Sequence, residues 1–171
     1  GPIRNKDGVI TGAVVSARDI SEKKATDDRI RDLLRVQEEQ LRIINTSPAI
    51  SFLWRAEENW PVETVSANIA QFGYTPEDFI AGRILFSSII HPDDLGQVMV
   101  AWDEAVGHPD QIVTVQYRHI HKTRGWVYSE AVAQSFLGQP PVDGVVATVR
   151  DITERKLVEE TLYRKDALLK A

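Results

Sequence analysis

Between residues 21 and 46 the chain has neither Gly nor Pro, and its charged residues surround a sparse apolar seam at Ile30, Leu34, Leu41 and Ile44, with Gln37 in the middle. The steps of 4, 3, 4 and 3 follow the coiled-coil period. A helix is therefore expected over 21–46, roughly 40 Å long at about 1.5 Å per residue. Its stripe suits a second helix or a face of its own domain. Gln37 is either a register-setting polar site or a weak point in the seam.

Ser47-Pro48 ends that pattern, and alternation replaces it. Residues 49–56 put Ile50, Phe52 and Trp54 on one side, and with 62–66 they read as a hairpin turning through 57–61. Short helices follow. Thr75 is a good N-cap with Pro76 at the first helical position, and Phe79 and Ile80 are expected to supply the buried side. Residues 90–95 open a longer helix to about residue 106, with Leu95, Val98, Met99, Trp102 and Val106 at helical spacing and a Gly-His-Pro stop at 107–109. Three strands come next, over 111–122, 126–137 and 142–151. The last carries Val145, Val146, Ala147 and Val149 with almost no alternation, which predicts a central strand buried on both faces. A second helix follows Ile152, with Val158, Leu162 and Leu169 on one side. At the other end, residues 5–8 read as a turn and 9–17 as one strand without a sheet. Such a strand is expected to join a sheet edge or pair with its own copy in a second chain.

The run RDITERK at 150–156 repeats RDISEKK at 18–24, and seven of the thirteen positions from 12–24 recur at 144–156. Each copy takes a β-rich run into a charged, helix-favouring one, so each is a strand-to-helix junction. Asp151 and Glu154 have the spacing of a capping box, as do Asp19 and Glu22. One copy only starts a helix. Two copies a domain apart suggest tandem modules that hand a strand to a helix, with Arg150, Asp151, Ile152, Thr153 and Glu154 as the junction.

With GYTPEDFIAG at 73–82 and IHPDDL at 90–95 before it, this closing strand resembles the PAS domain family of sensor modules in its PAS/PAC form. The resemblance implies an α+β fold: a five-stranded antiparallel sheet with its last strand in the middle, helices on one face, and coiled-coil-type helices on both flanks. It divides the chain into the closing strand of a preceding PAS domain (1–20), a helical linker (21–46), the PAS domain (47–152) and an outgoing signalling helix (153–171). It further implies a cavity between sheet and helices that takes a small apolar ligand, with Phe52, Phe79, Ile89, Val98 and Tyr117 as the expected lining. A homodimer along the seam of Ile30, Leu34, Gln37, Leu41, Ile44, Leu162 and Leu169 is expected, beside further PAS and effector domains of the same chain.

Composition narrows the function. A net charge of −5 argues against a nucleic-acid partner, and no apolar run reaches the length of a membrane span. Cysteine is absent, which removes disulfides, thiolate metal sites and cysteinyl-flavin photochemistry, and fits a cytoplasmic location. His91 with Asp93 and Asp94 reads as a helix start, and His119 with His121 as a solvated strand end, so no metal site is expected. No cofactor is predicted either: His91 and His108 are the histidines near the expected pocket helices, and neither lies in a haem motif. There is no nucleophile elbow and no phosphate-cradling glycine loop. The expectation is a non-enzymatic module that relays a ligand or neighbour-domain signal to an effector such as a histidine kinase. Its rivals are a haem- or flavin-bearing redox or gas sensor and an inert dimerising spacer.

Overall fold

The computed structural model describes residues 2–13 and 21–169, and for Leu169 the backbone alone. The first copy of the repeated junction, Arg18, Asp19 and Ile20, falls outside them. The chain divides into two compact units, residues 1–40 and 41–171, which are taken one at a time.

In the first unit, strand β1 (Pro2–Arg4) pairs antiparallel with β2 (Ile10–Ala13), Ile3 opposite Gly12. Of the strand expected over 9–17, the described part Ile10–Ala13 thus pairs within its own chain. The turn between them explains why. Asn5 Oδ1 accepts from the amides of Asp7 and Val9 at 3.0 and 2.9 Å, and Gly8 supplies a φ of 76°, so residues 5–8 fold the chain back on itself. Helix α1 (Ser21–Asn45) carries the seam into the second unit, and none of its residues is buried.

In the second unit, β3 (Ala49–Trp54), β4 (Val62–Val65), β5 (Ile112–His121), β6 (Gly125–Ser135) and β7 (Val145–Asp151) form an antiparallel sheet in the order β4-β3-β7-β6-β5. Between β4 and β5 run a 3-10 turn (Ala67–Phe72), α2 (Pro76–Ile80), α3 (Phe86–Ile89) and α4 (Pro92–Gly107), and α5 (Thr153–Leu169) follows β7. The last sheet strand is central, as its composition predicts, but not buried on both faces. Val145, Ala147 and Val149 are buried, whereas Thr148 and Arg150 on the alternate face are exposed. Its central place comes from ladders on both sides, to β3 and to β6, with one face against the core.

The core joins Ile50, Phe52 and Trp54 of β3 to Ile69, Phe72, Phe79, Phe86 and Ile89 from the helical segment. Ile80 is 49% exposed, contrary to the expected buried pair, because adjacent residues of a one-turn helix point about 100° apart and Phe79 takes the inward place. On α4, Met99 is likewise 49% exposed, and the inward position one turn beyond Ala101 belongs to Ala105. Two polar clamps orient these elements. The Asn68 amide donates to the carbonyls of Ser47 and Ala49 at 2.8 and 2.9 Å, tying the end of the incoming helix to the start of β3. The Arg118 guanidinium forks onto Asp94 at 2.8 and 2.7 Å, holding α4 against β5, and this bond keeps the Asp94 carboxyl below the usual carboxylate range.

Candidate functional site

A cavity of about 50 Å³ lies between α4 and the inner face of the sheet. One water needs about 10–15 Å³ on this measure, the space open to the centre of a water-sized sphere. The cavity exists because five of its wall residues are alanines. Ala101 and Ala105 stand a turn apart on α4, Ala131 and Ala133 alternate on β6, and Ala147 of β7 lies directly opposite Ala133. Larger residues close the remaining sides: Trp54, Trp60, Phe86, Val98, Trp102 and Tyr117 among them. Trp60 stacks on Trp102 at 4.9 Å, and Trp102 meets Trp54 edge-on at 6.2 Å.

Of the five residues expected to line a pocket, Val98 and Tyr117 do so. Phe52, Phe79 and Ile89 are buried at 2%, 2% and 4% exposure in the neighbouring core and are not part of this wall. The alanines carried the missing signal. An i, i+4 pair on a helix and an alternating pair on a strand mark facing surfaces that cannot meet, and aromatic size draws attention elsewhere. Trp60 was masked by its place in a turn.

The second arrangement is the junction at the other end of β7. Asp151 is still the last residue of the strand, opposite Ser129, and its Oδ1 accepts from the Thr153 amide at 2.8 Å while Oδ2 meets Arg124 at 3.0 Å. Burial works to raise the Asp151 carboxyl, but the bonds from Thr153 and Arg124 outweigh it and hold it below the usual range. Ile152 is buried at 4%, and its amide donates to Tyr128 at 2.8 Å. The Thr153 hydroxyl accepts from the Tyr128 amide at 3.0 Å. The reciprocal half of the expected capping box is absent among the bonds of the described residues: Glu154 is exposed in the first turn, favoured there by the helix dipole, and Thr153 makes the second tie instead. One turn on, Arg155 pairs with Glu130 at 3.1 Å; Arg150 is exposed on the strand. Glu130 is held below the usual range by bonds from Gln116 and Arg155. The helix start is thus fastened to β6 as well as to its own strand.

The histidines correct another expectation. His119 and His121 are not a solvated strand end: they are 1% and 7% exposed. His121 Nδ1 accepts from the amides of Thr123 and Arg124, both at 3.1 Å, so the imidazole builds the β5–β6 turn. His119 lies 4.2 Å from the Phe72 ring, with Nδ1 3.0 Å from Ser129 Oγ and Nε2 without a partner, and burial pushes it down to about 4. His91 caps α4, its Nδ1 accepting from the Asp93 amide at 3.2 Å, and His108 follows that helix's end. Along the seam, Ile30, Leu34, Leu41, Ile44 and Leu162 are 42–59% exposed, with Gln37 exposed among them; the Leu169 side chain lies outside what is described. No helix of the described residues is long and apolar enough to cross a membrane.

A five-stranded antiparallel sheet with helices over one face, a cavity between the layers and a helix leaving the central strand defines an α+β module of the sensor type. Residues 62–146 match the family model described as the PAS fold, and the chain belongs to the PAS family. It is similar to a methyl sulfide methyltransferase-associated sensor from Methanosarcina acetivorans, 36% identical over 158 residues, a match of 91% of this chain but 16% of that protein. The chain thus spans about a sixth of that relative's length. Among solved structures, it resembles the PAS domain of a Colwellia psychrerythraea protein (TM-score 0.57, 16% identity, 70% of this chain and 98% of that one). It also resembles a sensory box histidine kinase/response regulator from Burkholderia thailandensis (TM-score 0.52, 20% identity, 74% and 94%). These two likenesses concern the fold.

Proposed function

We propose that the protein is a signal-sensing and dimerising PAS module that relays occupancy of its cavity, or the state of a neighbouring domain, through α5 to an effector such as a histidine kinase. One observation carries the reading: β7 supplies Val145 and Ala147 to the cavity wall and, four residues further on, Asp151 to the start of α5. A displacement of that strand by a ligand is therefore felt at the helix start, a two-state coupling of the kind allostery needs. The relative's description as a sensor agrees with this role. The reading assigns no catalysis to these residues, and it places them in the cytoplasm beside further PAS and effector domains.

Dimerisation belongs to the same reading. The exposed seam of α1 is widened by Leu33, 63% exposed on the same side, and a lone helix with such a stripe is marginal in water without a partner. A haem does not suit this cavity, whose wall holds no His to serve as an axial ligand. The test uses the full-length protein with its effector. Asp151→Ala and a one-residue insertion after Arg155, which turns the outgoing seam by about 100°, are expected to change basal output or its response to signal. Normal folding with unaltered regulation in both would reduce the junction to a helix start and leave the module an inert spacer.

A further inference from the structure

Two polar atoms on residues of the cavity wall have no hydrogen-bond partner: Trp54 Nε1 and Tyr117 Oη. Their residues are 5% and 2% exposed, so bulk water does not serve them. An unmet buried donor is costly and native interiors keep few of them, so two on one small wall call for an explanation. An indole N–H can only donate. Burial pushes the Tyr117 phenol up, so its hydroxyl keeps its proton and can donate as well. Both rings pack edge-on to Phe86, with centroids at 5.2 and 6.3 Å, so the two rings flank the same side chain.

The remaining wall residues are Ala, Val, Phe86 and the partly exposed Trp60 and Trp102, and none is Lys, Arg, His, Asp or Glu. A carboxylate or an ammonium ion entering it would be buried without a counter-charge. A hydrocarbon would fill the space and leave both donors unmet. A carbonyl oxygen offers two lone pairs and brings no donor of its own. We propose that the cavity takes a small, uncharged carbonyl compound, apolar apart from its oxygen, which accepts from Trp54 Nε1 and Tyr117 Oη. This names the ligand class for the sensor reading above and rests on it.

The way in follows from exposure. Among the aromatic wall residues, Trp54, Phe86 and Tyr117 are buried, while Trp60 and Trp102, stacked on each other, are partly exposed. Trp60 is held at a φ of 49° after Asn59 at 66°, both in the left-handed region that a bulky residue rarely enters. The Trp60–Trp102 stack is the gate through which the ligand passes.

The experiment titrates the whole chain with cyclopentanone and, separately, with its hydrocarbon counterpart cyclopentane. Binding is followed on the indole N–H signals of ¹H–¹⁵N spectra, with that of Trp54 assigned by its loss in Trp54→Phe. Expected are a downfield shift of the Trp54 indole proton with the ketone and about tenfold or greater preference for ketone over hydrocarbon, the scale of one good hydrogen bond. Tyr117→Phe should reduce that preference, and Trp60→Ala should raise on- and off-rates together. Equal affinity for the two probes, no ketone binding at millimolar concentration, or a Trp54 indole still in contact with a trapped water when the ketone is saturating would each overturn the proposal. The comparison of probes in the unaltered protein stands even if a variant fails to fold. If the ketone binds as expected but the amides of Ile152 and Lys156 do not move, the relay fails and the ligand class survives.

Discussion

The two ends of β7 are built on opposite rules. At Val145 and Ala147 the strand faces a space left by small side chains, where an indole N–H and a phenol O–H go unmatched. At Asp151, Ile152 and Thr153 the polar groups are matched several times over, by Tyr128, Arg124 and one another. The first end is under-packed and under-bonded and the second is over-determined. On the proposed relay, a strand with one yielding end and one fastened end moves its helix as a unit when the yielding end is pushed. A strand fastened at both ends would transmit nothing, and one loose at both would lose the direction of the push.

Substitutions can break this contrast. The largest effect is expected from Gly144→Ala, just before the yielding end. An added Cβ would stand 2.4 Å from the Trp54 carbonyl oxygen, so β3 and β7 must part, at about 3 kcal/mol in a denaturation curve. Acid should act on the fastened side by a similar amount. His119 bonds Ser129, which lies opposite Asp151, and burial pushes its pKa from 6.5 down to about 4. The folded state thus favours neutral imidazole. That contribution is complete above pH 6.5 and is lost as pH falls from 6.5 toward 4, by about 3 kcal/mol in all. Denaturation midpoints at pH 7, 5.5 and 4.5 should show the decline, and His119→Gln should flatten it. The lowered Asp151 and Glu130 carboxyls add their own loss only as pH falls further, through values below the usual carboxylate range.

Smaller effects sharpen the contrast. Asp151→Ala should cost about 1 kcal/mol, the scale of a lost helix cap. Tyr117→Phe, at the yielding end, should cost nothing and can stabilise the protein by up to about 1 kcal/mol, because it deletes a buried hydroxyl with no partner. Equal losses from these two, measured by urea denaturation, would erase the distinction. Arg155→Ala, about half exposed, should stay within about 0.5 kcal/mol.

The contrast was only half legible in the sequence. The junction could be read because it is local: Asp, Ile and a charged run stand next to each other and occur twice. Asp151 takes an early helix amide as its spacing suggested, but the second tie was not legible, since Thr153 reaches Tyr128 across the sheet, and β6 stands beyond any local pattern. The central place of the last strand was read from the apolar run at 145–149, although Thr148 and Arg150 face outward. The cavity was harder. It is a property of what five alanines on α4, β6 and β7 leave empty, and empty space has no sequence motif. His119 was misread for a related reason: a histidine near a strand's end looks solvated until the 3-10 turn is seen to place Phe72 over it.

The central claim is that filling the yielding end moves the fastened end. Ala101→Leu tests it most directly, since it fills the cavity from α4 without touching β7 by substitution. Amide hydrogen exchange at Ile152 and Lys156, whose bonds to Tyr128 and Ile152 close the junction at 2.8 and 3.0 Å, is the readout. A change of about fivefold or more at both, with the Asn5 and Gly8 amides of the β1–β2 turn unaltered, is the predicted result. Altered exchange confined to α4, β5 and β6, with the junction amides unchanged, would contradict the account.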